Sequence, residues 1–324
     1  MRTADPPAAR PRIAIVGTFQ VGKSTLMNCL LTCSVADMGE GLPTTHAVAT
    51  YRFAADGVED AHLYPGGLEM EMADYWGAHA RAQAENRPLI KNLERVEFDL
   101  NRPSLRAIDV LDTPGLDAPG EHGRVDKERT EGAMAKADFV LFVVPNRDIT
   151  EMERSLIRQI AVTNKPYAML MNCFDPNGWE PGNARNEHYA ATVAAQLPQM
   201  GATPIAPTKS SPVWACNAAW YWVAEMAELP AEQLSPRHRE RLDELRDRVG
   251  HHFRKQRRGI PEPEELKRLS SFLPVQEFLC GTGLQARTAS AIVRLNNAAQ
   301  EWRQDLSKGL QEAMDVAAQQ PESS

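Results

Sequence analysis

Long apolar runs are missing from this chain: no stretch approaches the roughly 20 residues that cross a bilayer as a helix. The N-terminus, Met1 to Arg12, carries Pro, Ala and Arg but lacks the apolar core of a secretion signal. Cysteine is sparse and scattered. Cys29, Cys33, Cys173, Cys216 and Cys280 form no Cys-x-x-Cys pair, which argues against a disulfide framework or structural zinc and leaves free thiols in a reducing compartment. Positive charge is not in excess: 36 Lys plus Arg stand against 43 Asp plus Glu, a formal net charge of −7. That balance argues against a protein whose main business is wrapping nucleic acid. Repeats and low-complexity tracts are absent as well. Together these absences lead us to expect a cytoplasmic protein, at most peripheral to a membrane. With 43% hydrophobic and 24% charged residues over 324 positions, what remains is an ordinary globular composition, enough for one large domain or two modest ones.

The chain alternates strand-like and helix-like segments. Ile13–Val16 is a compact β-rich run ending at Gly17, the pattern of a buried parallel strand, and Ser24–Leu31 has leucines at helical spacing. Further strands are predicted at 48–53, 96–100, 107–111, 139–144, 168–172 and 213–216. Helices are predicted at about 68–86, 124–136, 150–163 and 186–197. This alternation predicts an α/β fold, a mostly parallel sheet flanked by helices, over residues 12–228. Residues 1–11 read as a disordered lead and 319–324 as a disordered tail. Between them, 229–318 reads as an all-helical C-terminal region. Its first helix is capped by Ser235 with Pro236 at the first turn, and carries Leu242, Leu245, Val249 and Phe253 on one face. A second helix covers 262–269, with a broken extension to Cys280, and a third runs along the Ile292–Ala313 stripe. That stripe can pack back on the α/β domain, pair with another chain or lie on a membrane; its mixed charges make the membrane the weakest of the three, and packing within the chain is the default.

Gly17-Thr18-Phe19-Gln20-Val21-Gly22-Lys23-Ser24-Thr25 matches GxxxxGK[ST] between a strand and a helix. A glycine-bounded loop points successive N–H groups at an anion, and the following helix adds its positive dipole end. In that pattern Lys23 supplies a cation to the β- and γ-phosphates and the Ser24 hydroxyl ligates Mg²⁺. Asp112-Thr113-Pro114-Gly115 closes a predicted strand at its carboxyl end, where ligands bind in open α/β sheets. There Asp112 can hold the Mg²⁺ shell and the Gly115 N–H can approach the γ-phosphate. Asn172 and Asp175 end the next strand, and the Asp175 carboxylate can accept both N1–H and N2–H₂ of guanine, a pair adenine does not offer.

The order GxxxxGKST, Pro-Thr-Thr, DTPG, NxxD resembles the translation-factor-related class of P-loop GTPases, in its Era/TrmE–dynamin branch. By that likeness Thr45, or its neighbour Thr44, is the first switch threonine, contacting Mg²⁺ and the γ-phosphate, while Ala215 and Cys216 fall on the base-contacting loop. The long insert between Thr45 and Asp112, with an amphipathic stretch at Leu68–Arg81 and the run Val96–Leu105, is similar to that of bacterial dynamin-like proteins. Several positions depart from the patterns of related GTPases, among them the Ser-Ala loop, which reads Trp214-Ala215-Cys216. Cys173 stands where a lysine stem covers the base face. Leu116 stands where Ras-type GTPases orient the attacking water. Phe19 stands where dynamins place a catalytic glutamine. Gln20 falls where members that depend on a monovalent cation carry Asn or Asp; Gln is less usual there but keeps the carbonyl oxygen, so K⁺ is a candidate second cofactor beside Mg²⁺.

The resemblance therefore implies GTP and GDP as ligands, slow basal hydrolysis, and activation by a nucleotide-dependent homodimer or a partner protein. One alternative is a non-hydrolysing, GTP-gated interaction module. Another is an Era-like RNA or ribosome assembly factor, against which the acidic charge and the lack of a GxxG module after residue 228 both weigh. Nucleic acid is accordingly not expected as a partner, and a membrane surface only weakly. His46 reads as a solvated loop histidine. The run His251, His252, Arg254, Lys255, Arg257, Arg258 could touch anionic lipid or RNA, but a solvated helix end with its cations near the C-terminal dipole is the favoured reading.

Overall fold

Arg12–Gly17 (β1), with every residue after Arg12 buried, sits inside a nine-stranded sheet because helices cover both its faces. The structure, a computed structural model, describes residues 10–36, 47–85, 89, 93–116, 121–163, 165–173, 184–206, 211–230, 234 and 236–281. After β1 come Lys23–Leu31 (α1), Val48–Phe53 (β2), Asp60–Tyr64 (β3), Leu68–Glu71 (β4), Met72–Ala84 (α2) and Arg95–Leu100 (β5). Asp109–Asp112 (β6), Glu121–Lys136 (α3), Phe139–Pro145 (β7), Glu151–Val162 (α4), Tyr167–Asn172 (β8), Ala184–Gln196 (α5) and Val213–Cys216 (β9) complete the sheet and its crossover helices. Ala218–Ala227 (α6), Pro236–Lys255 (α7), Pro263–Ser270 (α8) and Leu273–Cys280 (α9) follow.

The strand order is β4-β3-β5-β2-β6-β1-β7-β8-β9. From β6 to β9 every pairing is parallel, and these strands are nearly continuous in apolar residues, as strands covered on both faces must be. The half formed by β2, β3 and β5 alternates instead. Its inner face carries Tyr51, Leu63, Val96 and Phe98, with Tyr75 and Trp76 of α2 packed against Phe98 at ring separations of 5.1 and 6.5 Å. Its outer face pairs Arg52 with Asp99 at 3.0 Å and Glu97 at 3.1 Å, and His62 with Asp99 at 3.0 Å. The period-2 pattern thus puts charge to solvent and aromatics to the core.

The insert before Asp112 departs from the sequence expectation in one respect. Leu68–Glu71, the start of the expected helix at 68–86, is an edge strand paired antiparallel with β3, and α2 begins only at Met72. The hairpin turn Pro65-Gly66-Gly67 specifies this, with both glycines at positive φ, 112° and 61°. Asp60–Tyr64, which the sequence expectation does not include, is a strand with Ala61 and Leu63 buried. The expected strand at 107–111 begins at Asp109, since Pro103–Arg106 turns as a 3-10 helix.

Helix α6 also escaped periodicity, because Ala-Ala-Trp-Tyr-Trp-Val-Ala-Glu-Met-Ala is apolar on nearly every side. It lies between α1 and the C-terminal helices α7 and α8. Trp220 meets Phe253 of α7 at 5.1 Å, and the Tyr221 hydroxyl donates to Gln276 of α9 at 3.0 Å. Asn217 N–H donates to the Ser270 carbonyl of α8 at 2.8 Å, and Lys267 bridges Glu225 and Glu228 at 3.1 and 2.8 Å. On α7, Leu242, Leu245, Val249 and Phe253 are all buried as their spacing predicts. The expected break between the next two helices is real, at Ser271 in the left-handed region. His252 corrects the solvated reading: it is buried against Trp220, while His251, Arg254, Lys255, Arg257 and Arg258 are exposed. Ser235, the Ile292–Ala313 stripe and both expected disordered ends lie outside the described residues, apart from Arg10 and Pro11. No helix among the described residues is long and apolar enough to cross a membrane.

Candidate functional site

The carboxyl ends of β1, β6 and β8 converge on the loop Gly17–Gly22. Gly17 leaves β1 where a Cβ would stand 2.5 Å from the Val143 carbonyl oxygen of β7, so only glycine fits there. Gln20 and Gly22 take positive φ values of 60° and 84°, which curl the loop before α1 starts at Lys23. The Lys23 ammonium donates to the carbonyls of Gly17 at 3.2 Å and Thr18 at 2.9 Å. It is 7% exposed, and burial lowers its pKa to about 8 although Asp112 and Asp126 pull the other way.

Asp112 ends β6 at 2% exposure, and its Oδ1 is buried without a hydrogen-bond partner. Burial raises its pKa to about 6, with Lys23 and the Thr113 N–H opposing. A buried carboxylate oxygen with a lone pair to give fits a hard cation such as Mg²⁺. Ser24, half-buried at the first turn of α1, stands where the sequence places the other protein oxygen. Among the described residues no cluster of three or more His, Cys, Asp or Glu offers an all-protein metal cage.

Beyond Asp112 the chain runs along the loop. Leu116 bridges Thr18, with Phe19 N–H donating to Leu116 O at 2.7 Å and Leu116 N–H to Gly17 O at 3.3 Å. Thr113 Oγ1 donates to Ile15 O at 2.8 Å, and Thr130 of α3 donates to Pro114 O at 3.3 Å, so this segment is tied to both β1 and α3. A Cβ on Gly115 would lie 3.0 Å from Phe19 Cα and 3.3 Å from Lys23 Nζ. Leu116 itself is buried.

On the other flank, fully buried Asn172 donates through Nδ2 to Val21 O at 2.9 Å and accepts the Ala218 N–H at 3.1 Å. It thereby joins the loop to the start of α6. Cys173 N–H donates to the Cys216 carbonyl at 2.8 Å, and both thiols are buried and pushed well up by that burial. Ala215 is half-buried at the end of β9. All five cysteines are free.

The structure therefore brings together Gly17, Val21, Gly22, Lys23, Ser24, Thr25, Asp112, Gly115 and Asn172, while Gln20 projects to solvent at the crest of the loop. Thr44, Thr45, His46 and Asp175 lie outside the described residues. Sequence reasoning missed Asp126, which is buried on α3 within electrostatic reach of Lys23, and Glu153, which holds Thr18. The signal for Glu153 was there: Thr150-x-x-Glu153 is a capping box.

A family model described as 50S ribosome-binding GTPase matches residues 12–173. Among solved structures, Era of Aquifex aeolicus bound to GDP·AlF4⁻ is 19% identical over 65% of this chain and 52% of that one, with a TM-score of 0.39. Era with MgGDPNP and a segment of 16S ribosomal RNA is 21% identical over 64% and 51%, with a TM-score of 0.37. A member of an oligomerised bacterial dynamin pair that senses and tethers membranes is 14% identical over 96% and 48%, with a TM-score of 0.47. The chain spans about half the length of these solved proteins. No curated protein sequence matches it. The RNA belongs to the Era complex, and the expectation that nucleic acid is not a partner gains no support from that match.

Proposed function

This chain belongs to the 50S ribosome-binding GTPase family, and on that premise we propose that it is a Mg²⁺-dependent GTPase of slow basal rate, working as a dynamin-like switch that a second copy or a partner protein activates. The observation that carries this reading is the buried pair Lys23 and Asp112. A cation is presented by the loop and a carboxylate oxygen is left without a hydrogen bond, at the meeting point of two strand ends. The loop N–H groups and the start of α1 cradle the β-phosphate, and Lys23 bridges to the γ-phosphate. The Gly115 N–H serves the same phosphate from the opposite side. Ser24, Asp112 and Thr45 would hold Mg²⁺, which when bound would neutralise charge on the phosphate oxygens. Asn172 and Asp175 select guanine, with Ala215 and Cys216 beside the base.

Leu116 offers no group to orient water. The acceleration on this reading comes from outside the single chain, through self-association, a partner, or K⁺ near exposed Gln20. The protein works in the cytoplasm or at a membrane surface. Phosphate release at saturating GTP, with Lys23→Ala as control, tests the enzyme: the rate per protein molecule should exceed the control and itself rise with protein concentration or K⁺. Calorimetry should give tighter binding of GTP than ATP, and equal affinities would overturn the guanine assignment. A second reading, a GTP-gated module that does not hydrolyse, is favoured by buried Leu116 and by Phe19 lying against it. Release no faster than the Lys23→Ala control, with GTP still bound, would select it.

A further inference from the structure

Glu153 is fully buried, yet it belongs to α4, outside every nucleotide motif. Its two oxygens are saturated. Oε1 accepts from Thr18 Oγ1 at 2.9 Å and Arg147 Nη2 at 3.1 Å. Oε2 accepts from Arg147 Nη1 at 2.9 Å, from the Thr150 N–H at 2.7 Å and from the Thr150 hydroxyl at 3.1 Å. A helix cap needs only the Thr150 bonds. The Thr18 bond is surplus to capping, and it crosses from α4 to the second residue of the phosphate loop. Thr18 is also the residue whose carbonyl receives the Lys23 ammonium at 2.9 Å and whose backbone bridges Leu116.

We propose that Glu153 is a positioning residue for the nucleotide site: by holding the Thr18 hydroxyl from behind the loop, it fixes the carbonyl on which Lys23 rests, and so sets where the lysine meets the phosphates. Arg147, with 45% of its side chain exposed at the rim, is the counter-charge that lets a carboxylate stay ionised in a buried place. The proposal rests on the GTPase reading above, and it adds a residue that touches no nucleotide to the set that determines affinity and rate.

Three full-length variants test it: Thr18→Val, which keeps the shape and removes the hydroxyl; Thr18→Ser, which keeps the hydroxyl; and Glu153→Gln, which can still accept from Thr18 but loses the charge facing Arg147. The readouts are the dissociation constant for fluorescently labelled GDP, the split of GTP turnover into kcat and KM, and the melting temperature. Thr18→Val should weaken labelled GDP about tenfold, the scale of one hydrogen bond to a charged group. It should also lower kcat, with the fold retained and the melting temperature lowered by only a few degrees. Thr18→Ser should recover most of the loss, and Glu153→Gln should fall between. Thr18→Val binding and turning over nucleotide like wild type would overturn the proposal and leave Glu153 a helix cap. Should Glu153→Gln fail to fold, the two Thr18 variants decide alone. A wild-type protein that binds no labelled GDP would instead bring down the GTPase reading, and this proposal with it.

Discussion

Lys23, Asp112 and Gly115 are set by hard constraints of different kinds: a buried charge, an unsatisfied oxygen and a missing side chain. Gly115 is the most easily probed. Alanine there would press on Phe19 Cα and the Lys23 ammonium, and the Phe19 backbone has no room to yield because its N–H is bonded to Leu116. Gly115→Ala is expected to slow phosphate release by about tenfold or more, equivalent to about 1.4 kcal/mol of barrier, with GDP affinity less affected. Glu153 gives a pH signature. Burial would push its carboxyl up, but the hydrogen bonds from Arg147, Thr150 and Thr18 prevail and hold it below the ordinary glutamate range. A depressed carboxyl stabilises the fold above its unfolded-state value, and that stability is lost as pH falls through the lower folded value. Denaturant midpoints should therefore show wild type ahead of Glu153→Gln at pH 7, with the gap narrowing below about pH 4.

At the scale of elements, the amphipathic helices were legible and the marginal or uniformly apolar ones were not. Helix α4 was readable from Leu156, Ile157 and Ile160 at its buried face and from its capping box. Thr150→Ala removes the acceptor for the Glu153 N–H at 3.3 Å and should destabilise the protein by about 1 kcal/mol in equilibrium unfolding. Edge strand β4 gave no signal because none of its residues is fully buried, so nothing in its sequence separates it from the first turn of α2. Helix α6 failed for the opposite reason: burial all round erases the period that would identify it.

Across the described residues, α6 joins the C-terminal helices to α1, and α9 reaches the sheet directly, with Phe278 at 5.9 Å from Phe139 of β7 and 5.0 Å from Trp214 of β9. Trp220 packs on Phe253, Tyr221 on Phe272 at 4.8 Å, and the Asn217 N–H joins Ser270, one residue after Cys216 at the end of β9. The boundary proposed at residue 228 thus separates sequence patterns more sharply than it separates packing. Phe253→Ala should cost about 3–5 kcal/mol. Because its contacts reach α6, calorimetry should record one cooperative transition shifted downward for sheet and helices together, rather than an early loss of the helices alone.

The α/β class, a glycine-bounded loop between β1 and α1, the placing of Asp112 and Asn172 at strand ends and the buried face of α7 are all legible in the chain alone. Each rests on local spacing, where a period or a glycine is dictated by geometry within one element. Tertiary structure alone decided that Asp112 keeps an oxygen free, that Lys23 rests on Gly17 and Thr18, and that Glu153 reaches Thr18 across 135 residues of chain. Those are statements about which elements end beside one another. No local pattern encodes them, because the strand order that brings β6, β1 and β7 side by side is fixed by the packing of the whole sheet.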